Sequence, residues 1–151
     1  MKRMIRLAVC ALMAILAVSC GKSEPVDIKV ISFNVRLSTR SDGDNWWENR
    51  KHASINMLNE EKPTVFGLQE ALPNQVEYLA ENLPEYGYVG VGRDDGKKKG
   101  EFMAIFYLKE KVELLDGGTF WLSETPDVPS KGWDAACFRS CTWTKFKMKA
   151  N

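Results

Sequence analysis

Ile28-Lys29-Val30-Ile31-Ser32-Phe33-Asn34 and Thr64-Val65-Phe66-Gly67-Leu68-Gln69-Glu70 are the two stretches whose reading decides the fold. Each is a short apolar run, the pattern of a strand buried on both faces, and each ends on a polar residue. Between them, residues 46–61 carry Trp47, Ala53, Ile55, Met57 and Leu58 in a helical pattern that Pro63 closes. Pro73 suits the first turn of a second helix, whose stripe of Val76, Leu79, Ala80 and Leu83 ends near Pro84.

Further strands follow at 86–91, 102–108, 112–115 and 119–122. The second and third of these read as a hairpin around Lys109-Glu110-Lys111. Residues 38–45, 92–100 and 123–136 read as loops, and 141–148 alternates as a half-exposed strand with Trp143 turned inward. Strand, helix, strand, helix and then mostly strands is the order of a layered α/β sandwich with a mixed sheet flanked by helices.

The polar strand ends supply the chemistry. A carboxylate after an apolar strand is costly unless it is paired or bound to a metal. Mg²⁺ takes one or two carboxylates and fills its other positions with water and phosphate oxygens. Asn34 can give an N–H to a phosphate or a carbonyl to a cation. Both residues also have plain structural readings. Glu70 precedes the helix near Pro73, whose dipole favours a carboxylate, and Asn34 can bond its own backbone.

The start of the chain reads as a targeting segment. Lys2, Arg3 and Arg6 precede an apolar run at 7–18, too short to span a bilayer comfortably, and Ala17-Val18-Ser19-Cys20 follows. Residues 1–19 are therefore a signal peptide. The cysteine after small residues resembles a bacterial lipobox, with Ala17 where Leu is commonest. That resemblance makes Cys20 the lipidation site and 20–26 a lipidated tether. It places the protein in the bacterial cell envelope, exported and held at the outer membrane or in the periplasm by its acyl chain.

Removing the signal takes away three of the 21 basic residues and none of the 20 acidic ones, leaving a net charge of −2. Such a chain lacks the strongly basic footprint of a nucleic-acid binder, although a local patch stays open. Residues 27–151 amount to one domain's worth of chain. Cys137 and Cys141 read as ordinary thiols or as a bridge within one turn, and two cysteines do not make a zinc site.

Ile31-Ser32-Phe33-Asn34-Val35-Arg36 followed by Phe66-Gly67-Leu68-Gln69-Glu70-Ala71 resembles the endonuclease/exonuclease/phosphatase superfamily. The likeness continues through Tyr88-Val89-Gly90-Val91-Gly92-Arg93, Ala104-Ile105-Phe106-Tyr107, Gly118-Thr119-Phe120-Trp121-Leu122-Ser123 and Arg139-Ser140-Cys141-Thr142-Trp143. Exported members from Bacteroides-type bacteria are the nearest in kind. The resemblance implies a deoxyribonuclease-like four-layer α/β sandwich, of which this chain would be half and would supply most of one sheet. It implies Mg²⁺ (or Mn²⁺) at Glu70 with Asn34 beside it, and hydrolysis of a phosphodiester or phosphomonoester. It also implies a catalytic role for Glu101, orienting a histidine, and contact of Arg139 with phosphate. Arg93 and, in its loop, Trp133 are further substrate-binding candidates.

The family mechanism also needs a histidine beside the phosphate, an Asp-x-Asn pair and a late Asp-His pair. The chain's one histidine, His52, falls in the first helix with no motif around it and reads as a surface residue. The resemblance therefore casts the chain as an N-terminal half, with its partner half as one expected partner. It predicts little or no turnover for the chain alone and an exposed, aggregation-prone sheet face. The phosphate ester stays open among nucleic acid, which the charge disfavours, phosphoinositide, sphingomyelin and sugar phosphate. Two other readings stand beside this one: a non-catalytic surface lipoprotein that binds a ligand with its aromatic loops, and a fragment without its own function.

Overall fold

The computed structural model of the chain describes residues 26–149. The signal peptide, Cys20 and all but the last residue of the tether lie outside those residues. Strand β1 (Val30–Asn34) lies parallel to β2 (Val65–Gln69), in register from Val30 with Val65 to Asn34 with Gln69. A parallel pair needs a crossover. Here it is a short 3-10 segment, Arg40–Asn45, and helix α1 (Trp47–Glu61). The expected loop at 38–45 thus contains a turn of helix, started where Thr39 accepts the Ser41 N–H. Lys62 ends α1 in the left-handed region and Pro63 prevents its continuation. Helix α2 (Pro73–Asn82) starts on its proline, whose missing N–H costs nothing there.

Strands β3 (Tyr86–Val89) and β4 (Ile105–Leu108) complete a four-stranded mixed sheet of order β1-β2-β4-β3. One face lies under the helices. Phe66 stacks on Phe106 at 4.8 Å between ring centroids, Tyr86 meets Phe66 edge-on, and Val35, Trp47, Leu58, Val76 and Leu79 close over them. Burying each such side chain contributes about 1.5–3 kcal/mol. Strands β5 (Val112–Trp121) and β6 (Ser140–Met148) pair antiparallel as a second sheet. Phe146 of β6 meets Tyr107 on the opposite face of the first sheet, 5.2 Å between centroids.

The architecture is α/β with a mixed sheet flanked by helices, as expected. Several local expectations are corrected. Residues 102–108 and 112–115 do not form a hairpin: both edges of β4 are taken, by β2 and β3, so β5 turns away to β6. The two short strands expected at 112–115 and 119–122 are one, with an irregularity between Leu114 and Asp116. Trp143 points outward and is 43% exposed, lying across Gly118, where no side chain blocks it. The outward face of β1, carrying Val30, Ser32 and Asn34, is exposed rather than buried, because no described segment covers it. Cys137 and Cys141 are half-buried and unbridged. Among the described residues no helix is long and apolar enough to cross a membrane.

Candidate active site

Parallel strands end together, so the polar residues at the ends of β1 and β2 fall side by side at the carboxyl edge of the sheet. Ligands of α/β sheets bind at that edge. Asn34 Nδ2 donates to Glu70 Oε1 at 2.9 Å. The Asn34 amide is oriented by its other contact: Oδ1 accepts the Arg36 N–H at 2.8 Å, so the NH₂ must face the carboxylate. Glu70 Oε2 accepts the Leu37 N–H at 3.4 Å. The bond from Asn34 does most to hold the Glu70 carboxyl below its ordinary range, against partial burial; the Leu37 N–H and the charges of Arg36 and Arg93 add to it.

Both ends turn sharply. Arg36 (φ 54°) and Glu70 (φ 61°) occupy the left-handed region, which non-glycine residues enter at a cost of order 1 kcal/mol or more. The Arg36 guanidinium is committed outward, with Nε and Nη2 on the two oxygens of Asp42 at 3.0 and 2.9 Å.

The loop after β3 brings a second carboxylate to the same edge. Phe102 N donates to Ala71 O at 2.7 Å, which places Glu101 next to the segment that follows Glu70. Arg93 Nη1 and Nη2 grip the two Glu101 oxygens at 2.9 and 3.0 Å, with both side chains largely buried. Arg93 Nε is buried without a hydrogen-bond partner, 3.8 Å from Asp94 Oδ1.

The expected site residues thus fall into two close pairs, Asn34 with Glu70 and Arg93 with Glu101, on adjoining segments. Arg139 is exposed just ahead of β6. A cleft of about 300 Å³, lined by Gln69, Ala104 and Ser140 among others, joins the start of β6 to the end of β2. Trp133 is 72% exposed with φ 49°. Neither the Arg139 nor the Trp133 side chain reaches either pair by a hydrogen bond. His52 lies exposed on α1, its Nδ1 3.1 Å from the Tyr78 hydroxyl.

The donor set fits a hard divalent cation of the Mg²⁺ kind. Glu70 is an ionised, partly exposed carboxylate, and water and phosphate oxygens can supply the remaining ligands. It does not fit zinc: the described residues hold no group of three or more His, Cys, Asp or Glu side chains placed to share a metal.

Two residues unnoticed in the sequence complete the site from beneath. Gln75 is fully buried and Arg50 half-buried, and both donate to the Arg36 carbonyl, at 2.9 and 2.8 Å. The signal for Gln75 was its position, three residues into a helix and on the apolar face shared with Leu79.

No family model matches the chain. Solved structures do. The endonuclease/exonuclease/phosphatase from Bacteroides vulgatus superposes with a TM-score of 0.80 and 45% identity, over 82% of this chain and 48% of that one. This chain carries part of the endonuclease/exonuclease/phosphatase fold. A mannosyl-6-phosphatase of Bacteroides thetaiotaomicron matches with a TM-score of 0.77 and 45% identity, over 81% of this chain and 46% of that one. An uncharacterised protein of Acanthamoeba polyphaga mimivirus is 33% identical over 112 residues, 70% of this chain and 42% of that protein. The chain therefore spans about half the length of the endonuclease/exonuclease/phosphatase relatives it matches.

Proposed function

We propose that this chain carries the cation-binding and phosphate-binding part of a Mg²⁺-dependent (or Mn²⁺-dependent) phosphoesterase. The observation that carries the reading is the hydrogen-bonded pair of Asn34 and Glu70 at adjacent strand ends, in an endonuclease/exonuclease/phosphatase fold. Glu70 would hold the cation through its carboxylate. Asn34 would keep that carboxylate ionised and aimed, and its second N–H is available to a phosphate oxygen. The cation, when bound, supplies Lewis-acid stabilisation of charge on the phosphoryl oxygens.

Arg139, unpaired by any hydrogen bond of its side chain, would swing to the phosphate as a two-pronged donor. Glu101 would orient a proton-carrying partner, and Arg93 would act on substrate through Glu101 rather than directly, since its guanidinium is already taken. Trp133 would wall the substrate from its loop. Activation of water needs a general base beyond the residues named here, and turnover by this chain alone is expected to be very low. A phosphomonoester on a sugar is the leading substrate class, supported by the mannosyl-6-phosphatase among the relatives. Export and acylation at Cys20 complete the proposal from sequence, and the mass of the N-terminal peptide from membrane fractions tests them.

The deciding experiment is calorimetric titration of the whole chain with Mn²⁺, beside Glu70→Gln, with and without mannose 6-phosphate. Binding heat that disappears in the variant and is strengthened by the phosphate supports the reading. Equal heats in both proteins overturn it.

A further inference from the structure

We propose that Gln75 is a positioning residue for the Asn34–Glu70 pair, clamping the strap of residues 36–38 that sets both side chains. This rests on the reading of Glu70 as a cation ligand. The strap touches each member of the pair once, through the Arg36 N–H on Asn34 and the Leu37 N–H on Glu70. The β1–β2 register and the direct bond set how far apart the two side chains lie, and the strap's conformation sets how each is aimed.

Gln75 holds that conformation from one fully buried amide. Its Nε2 donates to Arg36 O at 2.9 Å, and its Oε1 accepts Ser38 N and Leu72 N, each at 3.0 Å. One oxygen thus joins the chain just after Glu70 to the chain just after Asn34. Arg50 Nη2 grips the same Arg36 carbonyl at 2.8 Å. A carbonyl held from two sides keeps Arg36 in the left-handed region that its side chain disfavours. A buried amide with three bonds resists rearrangement, because any motion strands polar groups away from water. Residues that orient a metal ligand from behind commonly change metal affinity about 10–100-fold when replaced.

The test compares Gln75→Met and Gln75→Glu with Val76→Ala, a neighbour on α2 whose buried side chain is apolar and offers the strap no hydrogen bond. Gln75→Glu keeps the two accepted bonds, and its carboxyl keeps the donated one only when protonated. Mn²⁺ affinity is read from the free-ion electron paramagnetic resonance signal of the whole chain. Amide exchange at Arg36 and Leu37 is read by NMR without metal. The expected result is affinity weakened about 10-fold or more in Gln75→Met, less in Gln75→Glu, and less than about 2-fold in Val76→Ala at matched Tm. Exchange at Arg36 and Leu37 should speed up only in the Gln75 variants. Equal changes in all three proteins, or none in the Gln75 variants, overturn the inference. If the wild-type chain binds Mn²⁺ no better than Glu70→Gln, the cation reading has failed, and the exchange data decide the clamp on their own.

Discussion

Arg93 and Glu101 close the neck of the loop after β3 with a two-pronged ion pair, at 2.9 and 3.0 Å, while the Arg93 N–H donates to the Glu101 carbonyl at 3.1 Å. Trp121 Nε1 adds a bond to Arg93 O at 2.7 Å, tying this neck to the second sheet. Side chains and backbone thus pair at the same two positions, and the intervening Asp95 folds the tip by accepting the Lys97 and Lys99 N–H groups.

Replacing Arg93 by Met should cost roughly 3 kcal/mol in urea unfolding, since it leaves a largely buried carboxylate without its partner. Arg93→Lys keeps the charge but not the fork and should recover only part of that loss. Indistinguishable midpoints for Met and wild type would remove the pair from the account of loop stability.

Asn34→Ala should raise the Glu70 pKa toward its ordinary 4.5, because the largest cause of its depression is removed. The sign is that of a depressed carboxylate. Its stabilisation is fully present above the unfolded value and is lost as pH falls through the folded one. The variant should therefore lose less stability than wild type on acidification below about pH 4.5. The carboxyl ¹³C shift of Glu70 followed against pH measures this directly, and an unmoved titration curve would contradict it.

Much of the crossover was legible because its signals are local. Apolar runs ending at Asn34 and Gln69, Pro63 after a helix and Pro73 at the start of another need no knowledge of the rest of the chain. Partner choice in the sheets was not legible. Lys109-Glu110-Lys111 has the length of a hairpin turn, but β4 was already occupied on both edges by strands distant in sequence. The pair of Asn34 and Glu70 could be placed at strand ends, whereas the strap geometry that orients it could not. That geometry depends on Gln75 and Arg50, whose polarity suggests a surface when read one residue at a time.

Phe106→Ala should cost about 3–5 kcal/mol, the range for emptying a large aromatic site in a core. Phe106 is fully buried and stacks on Phe66 and on Tyr88, so neighbours on two strands lose contacts together. Guanidinium unfolding followed by tryptophan fluorescence reports the loss; a change under 1 kcal/mol would mean that the site collapses freely.

Gly90→Ala should destabilise by about 1–3 kcal/mol from backbone strain alone. Gly90 has φ 147°, and an added Cβ would lie 2.9 Å from the Ala104 Cα, a backbone atom that cannot swing aside. Thermal melts test this, and an unchanged Tm would show that the β3 end relaxes more than its contacts allow.

β1 has a direction as well as an edge. The chain enters it at Val30, beside the exposed Val26 and Ile28, and leaves at Asn34, roughly 13 Å further on at a strand's rise per residue. Whatever holds this protein by the residues before β1 holds it by its base. An attachment through Cys20, as proposed, would leave the Asn34–Glu70 edge at the far end of β1, like the head of a pin whose point is fixed.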